Sequence, residues 1–284
     1  AGRNDAWVVG SRGALLRWDG ATWTTQGGAA DRELRGVWGS GGLVYAVGST
    51  SGGGVILRYR AGTWTLVHSD QTHKWNAIWG SGPSDIWVGG EALNGPAQAS
   101  LNHYDGVIWQ LEDDGPKPGI TSISGSGPGD VWAVANSNFA RYDGTRWTLQ
   151  AAPTGLGLDA VFSIGANRVL TSGGFYSPFK TPTLARYDGA QWIPERILRP
   201  VQKTLRTLWS PGPGQLIAAG DENTLLTFNG KEWTHLLPVN GGAFATEIYQ
   251  IQGADANTML GAGAPGIVLT FPSFSGVRQI VLGS

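Results

Sequence analysis

One heptapeptide governs what this chain can fold into. "RYDGTRW" (141–147) returns as "RWDGATW" (17–23), "HYDGVIW" (103–109), "RYDGAQW" (186–192) and "TFNGKEW" (227–233), and more loosely as "RYRAGTW" (58–64). The opening aromatics are Trp18, Tyr59, Tyr104, Tyr142, Tyr187, Phe228 and, weakly, Phe271. The first six are answered five residues later by Trp23, Trp64, Trp109, Trp147, Trp192 and Trp233. Asp-Gly between runs of aromatic and β-branched residues is a hairpin signal: Gly takes positive φ and Asp bonds nearby amides. The pattern predicts one structural staple used once per repeat, its two rings buried between neighbouring repeats.

A second motif precedes each hairpin. "LRGVWGS" (34–40) matches "WNAIWGS" (75–81), "ITSISGS" (120–126), "LDAVFSI" (158–164), "LRTLWSP" (205–211) and "IYQIQGA" (248–254). A Gly/Pro turn and a strand such as "IWVGG" or "VWAVA" follow, so each unit reads as strands a, b, c and d. No stretch keeps a helical period. Four short strands every 40–45 residues or so are the signature of a β-propeller, in which stacked blades bury the faces that one blade cannot.

Seven hairpins predict one all-β domain over 1–284, a seven-bladed β-propeller of four-stranded antiparallel blades. Blade one takes 1–27 plus 278–284; the others cover about 33–68, 73–113, 118–151, 157–195, 203–237 and 246–276. The chain opens at strand b, "DAWVVG", and ends "RQIVLGS", which overlays "LRGVWGS". Residues 278–284 are therefore expected to close the ring against 5–10. The span from Phe271 to Arg278 is short for a full strand d, so the last blade is left with three strands or four. A start inside a repeat also leads us to expect further residues upstream.

The "YDG..W" and "GSGP.DVWAV" phrases resemble tectonin-type propeller repeats and cover nearly the whole chain, although the units here are longer. Kelch repeats share the paired Gly after strand b and a Tyr…Trp pair at wider spacing. The Asp box of sialidase propellers, S-x-D-x-G-x-x-W, is not met, because Gly follows Asp directly. The resemblance implies glycan binding or surface recognition.

Composition narrows the partners. Net charge is −1 and 14% of residues are charged, which gives no electrostatic ground for nucleic acid. There is no Cys and no apolar run long enough to span a membrane. An extracytoplasmic location is expected. No nucleophile elbow, phosphate loop or zinc-binding helix motif occurs, and no cofactor or metal is expected. His68, His73 and Asp70 share a loop, but a metal would need further ligands. His103 fills the slot held elsewhere by Arg17, Arg58, Arg141 and Arg186. Glu112–Asp113–Asp114 and Asp221–Glu222 read as solvated loop charge.

The a–b and c–d turns barely vary, whereas the b–c and d–a loops vary greatly and leave each blade at the same end. Rigid frames with variable loops carry binding sites. Candidate ligand contacts are Trp75, Asn76, Glu91, Asn94, Phe175 and Tyr176. Trp75 stands where other blades have Leu or Ile, so it either fills the core or forms a stacking platform. A second set lies one step into each strand a: Arg35, Asn76, Thr121, Asp159, Arg206, Tyr249 and Gln279. These would line a channel, with Arg35 and Arg206 as anion contacts and Asp159 between them. The sequence thus points to a non-enzymatic module for a glycan or protein ligand. The alternative is a carbohydrate-active hydrolase or lyase with its site at the channel mouth.

Overall fold

The structure, a computed structural model, describes residues 5–27, 31–94, 100–117, 119–135, 138–152, 157–174, 182–198, 203–212, 214–235, 247–253, 259–264, 267–273 and 276–281. The chain divides into two compact units, Arg3–Ala151 and Ala152–Ser284.

The first unit opens with a three-stranded sheet: β1 (Ala6–Val9), β2 (Leu15–Trp18) and β3 (Trp23–Thr25). Three four-stranded sheets follow. They are β4 (Glu33–Ser40), β5 (Leu43–Thr50), β6 (Gly53–Arg60) and β7 (Thr63–Asp70); β8 (His73–Gly82), β9 (Asp85–Ala92), β10 (Leu101–Tyr104) and β11 (Trp109–Leu111); and β12 (Ile120–Gly127), β13 (Asp130–Ala135), β14 (Asn138–Tyr142) and β15 (Trp147–Ala151). The second unit has three four-stranded sheets. They are β16 (Ala160–Gly165), β17 (Arg168–Gly174), β18 (Pro182–Tyr187) and β19 (Trp192–Pro194); β20 (Leu205–Gly212), β21 (Gln215–Gly220), β22 (Leu225–Phe228) and β23 (Trp233–His235); and β24 (Glu247–Gly253), β25 (Met259–Ala264), β26 (Ile267–Ser273) and β27 (Gly276–Val281). Every pairing within the sheets is antiparallel between sequence neighbours.

This corrects the expected seven four-stranded blades closed into a ring. Six sheets have four strands, and no closing strand joins the first sheet among the described residues. The C-terminal strand β27 is instead the outer strand of the last sheet, with Ile267 opposite Val281 and Val268 opposite Ile280. The pairing begins with Ser273 opposite Gly276. Residues 278–281, expected to close the ring, instead lie in the strand d of the last sheet, which has four strands.

The repeated hairpin behaves as its chemistry dictates. In five copies the side-chain oxygen of Asp19, Asp105, Asp143, Asp188 or Asn229 accepts two backbone N–H groups, two and three residues on, at 2.8–3.0 Å. Gly20, Gly106, Gly144, Gly189 and Gly230 follow with φ between 95° and 103°, a region closed to most side chains. The two aromatics face one another across the strand pair with ring centroids 5.1–5.6 Å apart in all six copies. In the first unit they also reach the preceding sheet. Trp7 meets Tyr59 and Trp64, Tyr45 meets Trp109, and Trp87 meets Tyr142 and Trp147, at 4.5–6.1 Å.

A second device recurs at the same end of these sheets. A strand-b Asp holds a strand-c cation that lies over a strand-b Trp: Asp5–Arg17–Trp7 and Asp130–Arg141–Trp132. His103 takes the Arg place in the third sheet. Its Nε2 lies 2.7 Å from Asp85 and its ring stacks on Trp87 at 3.9 Å.

Candidate functional site

The end that carries the b–c connections is built differently. Near its start, each of five strand-a segments slips by one residue against strand b. The slips lie between Leu34 and Gly36, Trp75 and Ala77, Ile120 and Ser122, Leu205 and Thr207, and Ile248 and Gln250. The residues left over are Arg35, Asn76, Thr121, Arg206 and Tyr249. Asp159 holds the corresponding place before β16, its N–H donating to the Ser172 carbonyl at 2.8 Å. A β-bulge leaves its extra residue outside the ladder and re-aims the side chain. The variable slot that the sequence marked is therefore a bulge in five of the six four-stranded sheets.

Glycine makes the slip possible. A Cβ on Gly48, Gly90, Gly220 or Gly263, each on strand b opposite the bulge, would collide with the carbonyl oxygen of Glu33, Lys74, Thr204 or Glu247. The recurrent "VG" and "GG" ends of strand b carry this signal.

In the first unit Arg35 and Thr121 are exposed and Asn76 is half-buried. The Asn76 amide donates to the Ile120 carbonyl at 3.3 Å and so bridges neighbouring sheets, while its buried Oδ1 has no partner among the described residues. Glu91 and Asn94 are exposed at the same end, where the Leu93 N–H donates to the Thr72 carbonyl. In the second unit Arg206 Nε donates to the buried Asp221 carboxylate, and its guanidinium lies 5.7 Å from the centroid of the Tyr249 ring. Tyr249 is 50% exposed and donates to Glu247, a bond that raises its phenol pKa. Lys203 pairs with Glu222 beside it. Asp221–Glu222 is thus ion-paired, not the free loop charge the sequence suggested.

Trp75 is wholly buried. It stacks on His73 at 5.3 Å and lies against Gly54, where a Cβ would strike the indole. The missing side chain at Gly54 makes room for Trp where other sheets hold Leu or Ile. A ring with no exposed surface offers a ligand no platform. Phe175 and Tyr176 lie outside the described residues.

The histidines of the d–a loop are absorbed into packing. Buried His73 Nδ1 lies 2.9 Å from Asp70 and 2.8 Å from the Thr72 hydroxyl. Burial pushes the Asp70 carboxyl up, but its bonds from Thr72 and His73 outweigh this and hold it below its ordinary value. Burial lowers His68, whose Nε2 faces the Asn102 amide at 3.3 Å. Among the described residues no three metal-binding side chains gather, and no helix is long and apolar enough to cross a membrane.

No protein-family model matches the chain, and no curated protein matches it. Solved structures do. The fold they share with it is an all-β propeller of four-stranded antiparallel blades. The chain is similar to YCF48 bound to D1 peptide, at 18% identity and a TM-score of 0.73, over 99% of this chain and 89% of that one. YCF48 from Cyanidioschyzon merolae gives 16% and 0.73, covering 94% and 91%. The WD40 β-propeller domain of Doa1 gives 14% and 0.66, covering 89% and 84%.

Proposed function

We propose that this propeller is a non-enzymatic recognition module that binds an extended segment of a protein partner at the bulged end of the sheets of its first unit. The observation that carries the reading is the bulge. A frame that repeats its hairpins nearly unchanged varies its side chain at one slot per sheet, and the bulge takes that slot out of the ladder. Interaction sites are commonly placed on such variable positions of a rigid scaffold. The similar fold of YCF48, solved with a D1 peptide, supports a peptide ligand. A glycan is the second reading, favoured by the half-exposed Tyr249 ring, since aromatic faces accept sugar C–H groups.

Selection from a displayed random-peptide library, with a glycan array run in parallel, tests this. We expect a peptide with about micromolar affinity, roughly 8 kcal/mol. Asn76→Ala and Thr121→Ala, both in the first unit, should each weaken it by about tenfold, or about 1.4 kcal/mol, with Tm unmoved in Thr121→Ala. Lys231→Ala, in a c–d hairpin, should leave it unchanged. Recovery of glycans alone would replace the ligand class, and binding unaffected by both bulge variants would overturn the site.

A further inference from the structure

We infer that the first unit receives an acidic peptide segment on three arginines, Arg12, Arg32 and Arg35. This rests on the recognition reading above and specifies the partner's chemistry. Two b–c connections, Ser11–Gly13 and Asp221–Asn223, are single 3-10 turns with the same backbone. Each follows an extended Gly and places its middle residue in the left-handed region, Arg12 at φ 54° and Glu222 at φ 49°. The closing bonds also match. Gly10 N–H donates to Ala14 and Ala14 N–H to Ser11, while Gly220 N–H donates to Thr224 and Thr224 N–H to Asp221, all at 3.0–3.2 Å.

The charges do not match. The second-unit turn is acidic and neutralises the cations beside it, Asp221 taking Arg206 and Glu222 taking Lys203. The first-unit turn adds a cation to cations. Gly13 N–H donates to the Arg32 carbonyl at 2.6 Å and Leu34 N–H to the Gly10 carbonyl at 3.1 Å, which seats Arg12 on the chain that carries Arg32 and Arg35. Arg12 and Arg35 are exposed, and the Arg32 Nε is buried with no partner. None of the three guanidiniums pairs with a carboxylate among the described residues. The acids within the patch are Asp31 and Glu33, both exposed, so positive charge is in excess by one. Three forks on separate backbone positions suit carboxylates spaced along an extended segment, since each fork takes a carboxylate through two parallel hydrogen bonds. An excess of one charge is too little to hold a polyphosphate backbone.

The test is fluorescence anisotropy with a labelled Glu-rich peptide and its Gln twin, on the intact chain, across a salt series. The Glu peptide should bind with an affinity that falls as salt rises, and the Gln twin about tenfold more weakly. Arg12→Gln with Arg35→Gln should weaken the Glu peptide by about tenfold or more at unchanged Tm. Equal binding of the two peptides, an unaffected double variant, or tighter binding of single-stranded DNA would overturn the inference. If the Glu peptide fails while a library-selected peptide still depends on Asn76 and Thr121, only the acidic assignment falls. If no peptide binds, the recognition reading falls with it.

Discussion

Trp147→Ala should unfold the chain more easily and leave ligand binding alone. Trp147 is 8% exposed and meets Trp87 edge-on at 5.2 Å and Tyr142 at 5.5 Å. An indole buries on the order of 200 Å², which at about 25 cal/mol/Å² is about 5 kcal/mol. Its Nε1 is buried with no partner among the described residues. Removing that unsatisfied donor returns about 1–3 kcal/mol. The net cost is about 3 kcal/mol, at the low end for a buried Trp→Ala change. In urea the midpoint should fall accordingly, and a thermal scan should show Tm lower by about 6–12 °C. Trp147→Phe keeps most of the area and loses the orphan N–H, so it should cost about 1 kcal/mol or less. Were Trp147→Ala to leave stability intact while abolishing binding, the repeated hairpins would be sites and not staples.

Three further outcomes follow from the same framework. The hairpin carboxylates of Asp19, Asp105, Asp143 and Asp188 are held low by hydrogen bonds, Asp143 to about 2 with the Thr145 hydroxyl as first cause. A lowered folded pKa stabilises above the unfolded value, near 4, and that stability is lost as pH falls toward 2. Tm should therefore drop through that window, less steeply in Asp143→Asn. His103→Arg should fold as well as the parent, because Arg17 and Arg141 make the same contacts in their own sheets, whereas His103→Ala should lower Tm by removing both the stack on Trp87 and the bond to Asp85. Gly90→Ala drives a Cβ into the Lys74 carbonyl and should destabilise by about 3 kcal/mol in urea titration, with retention of stability refuting the bulge geometry.

What could be read in the sequence was local. Asp-Gly turn chemistry and the five-residue aromatic spacing act within one hairpin, so the c–d staples and their Asp caps were legible. The bulge slot was legible as variation, because Arg35, Asn76, Thr121, Asp159, Arg206 and Tyr249 differ while their neighbours repeat. Trp75 misled because its slot is filled by Leu or Ile elsewhere, and the space that admits it comes from Gly54, a residue of another sheet. Strand pairing at the C-terminus misled for a different reason. "RQIVLGS" alternates like an inner strand, but alternation fixes a face and not a partner. The pairing of Arg206 with Asp221 and of Lys203 with Glu222 depends on a single-turn loop whose geometry no spacing rule announces.

Hydrogen–deuterium exchange of the free chain and of its complex with the selected peptide tests the central claim most directly. New protection is expected at the bulge segments 33–36, 74–77 and 120–122 and at the turn 10–14, with the c–d hairpins unchanged. Protection confined to the hairpins at 105–108, 143–146 and 188–191 would contradict it.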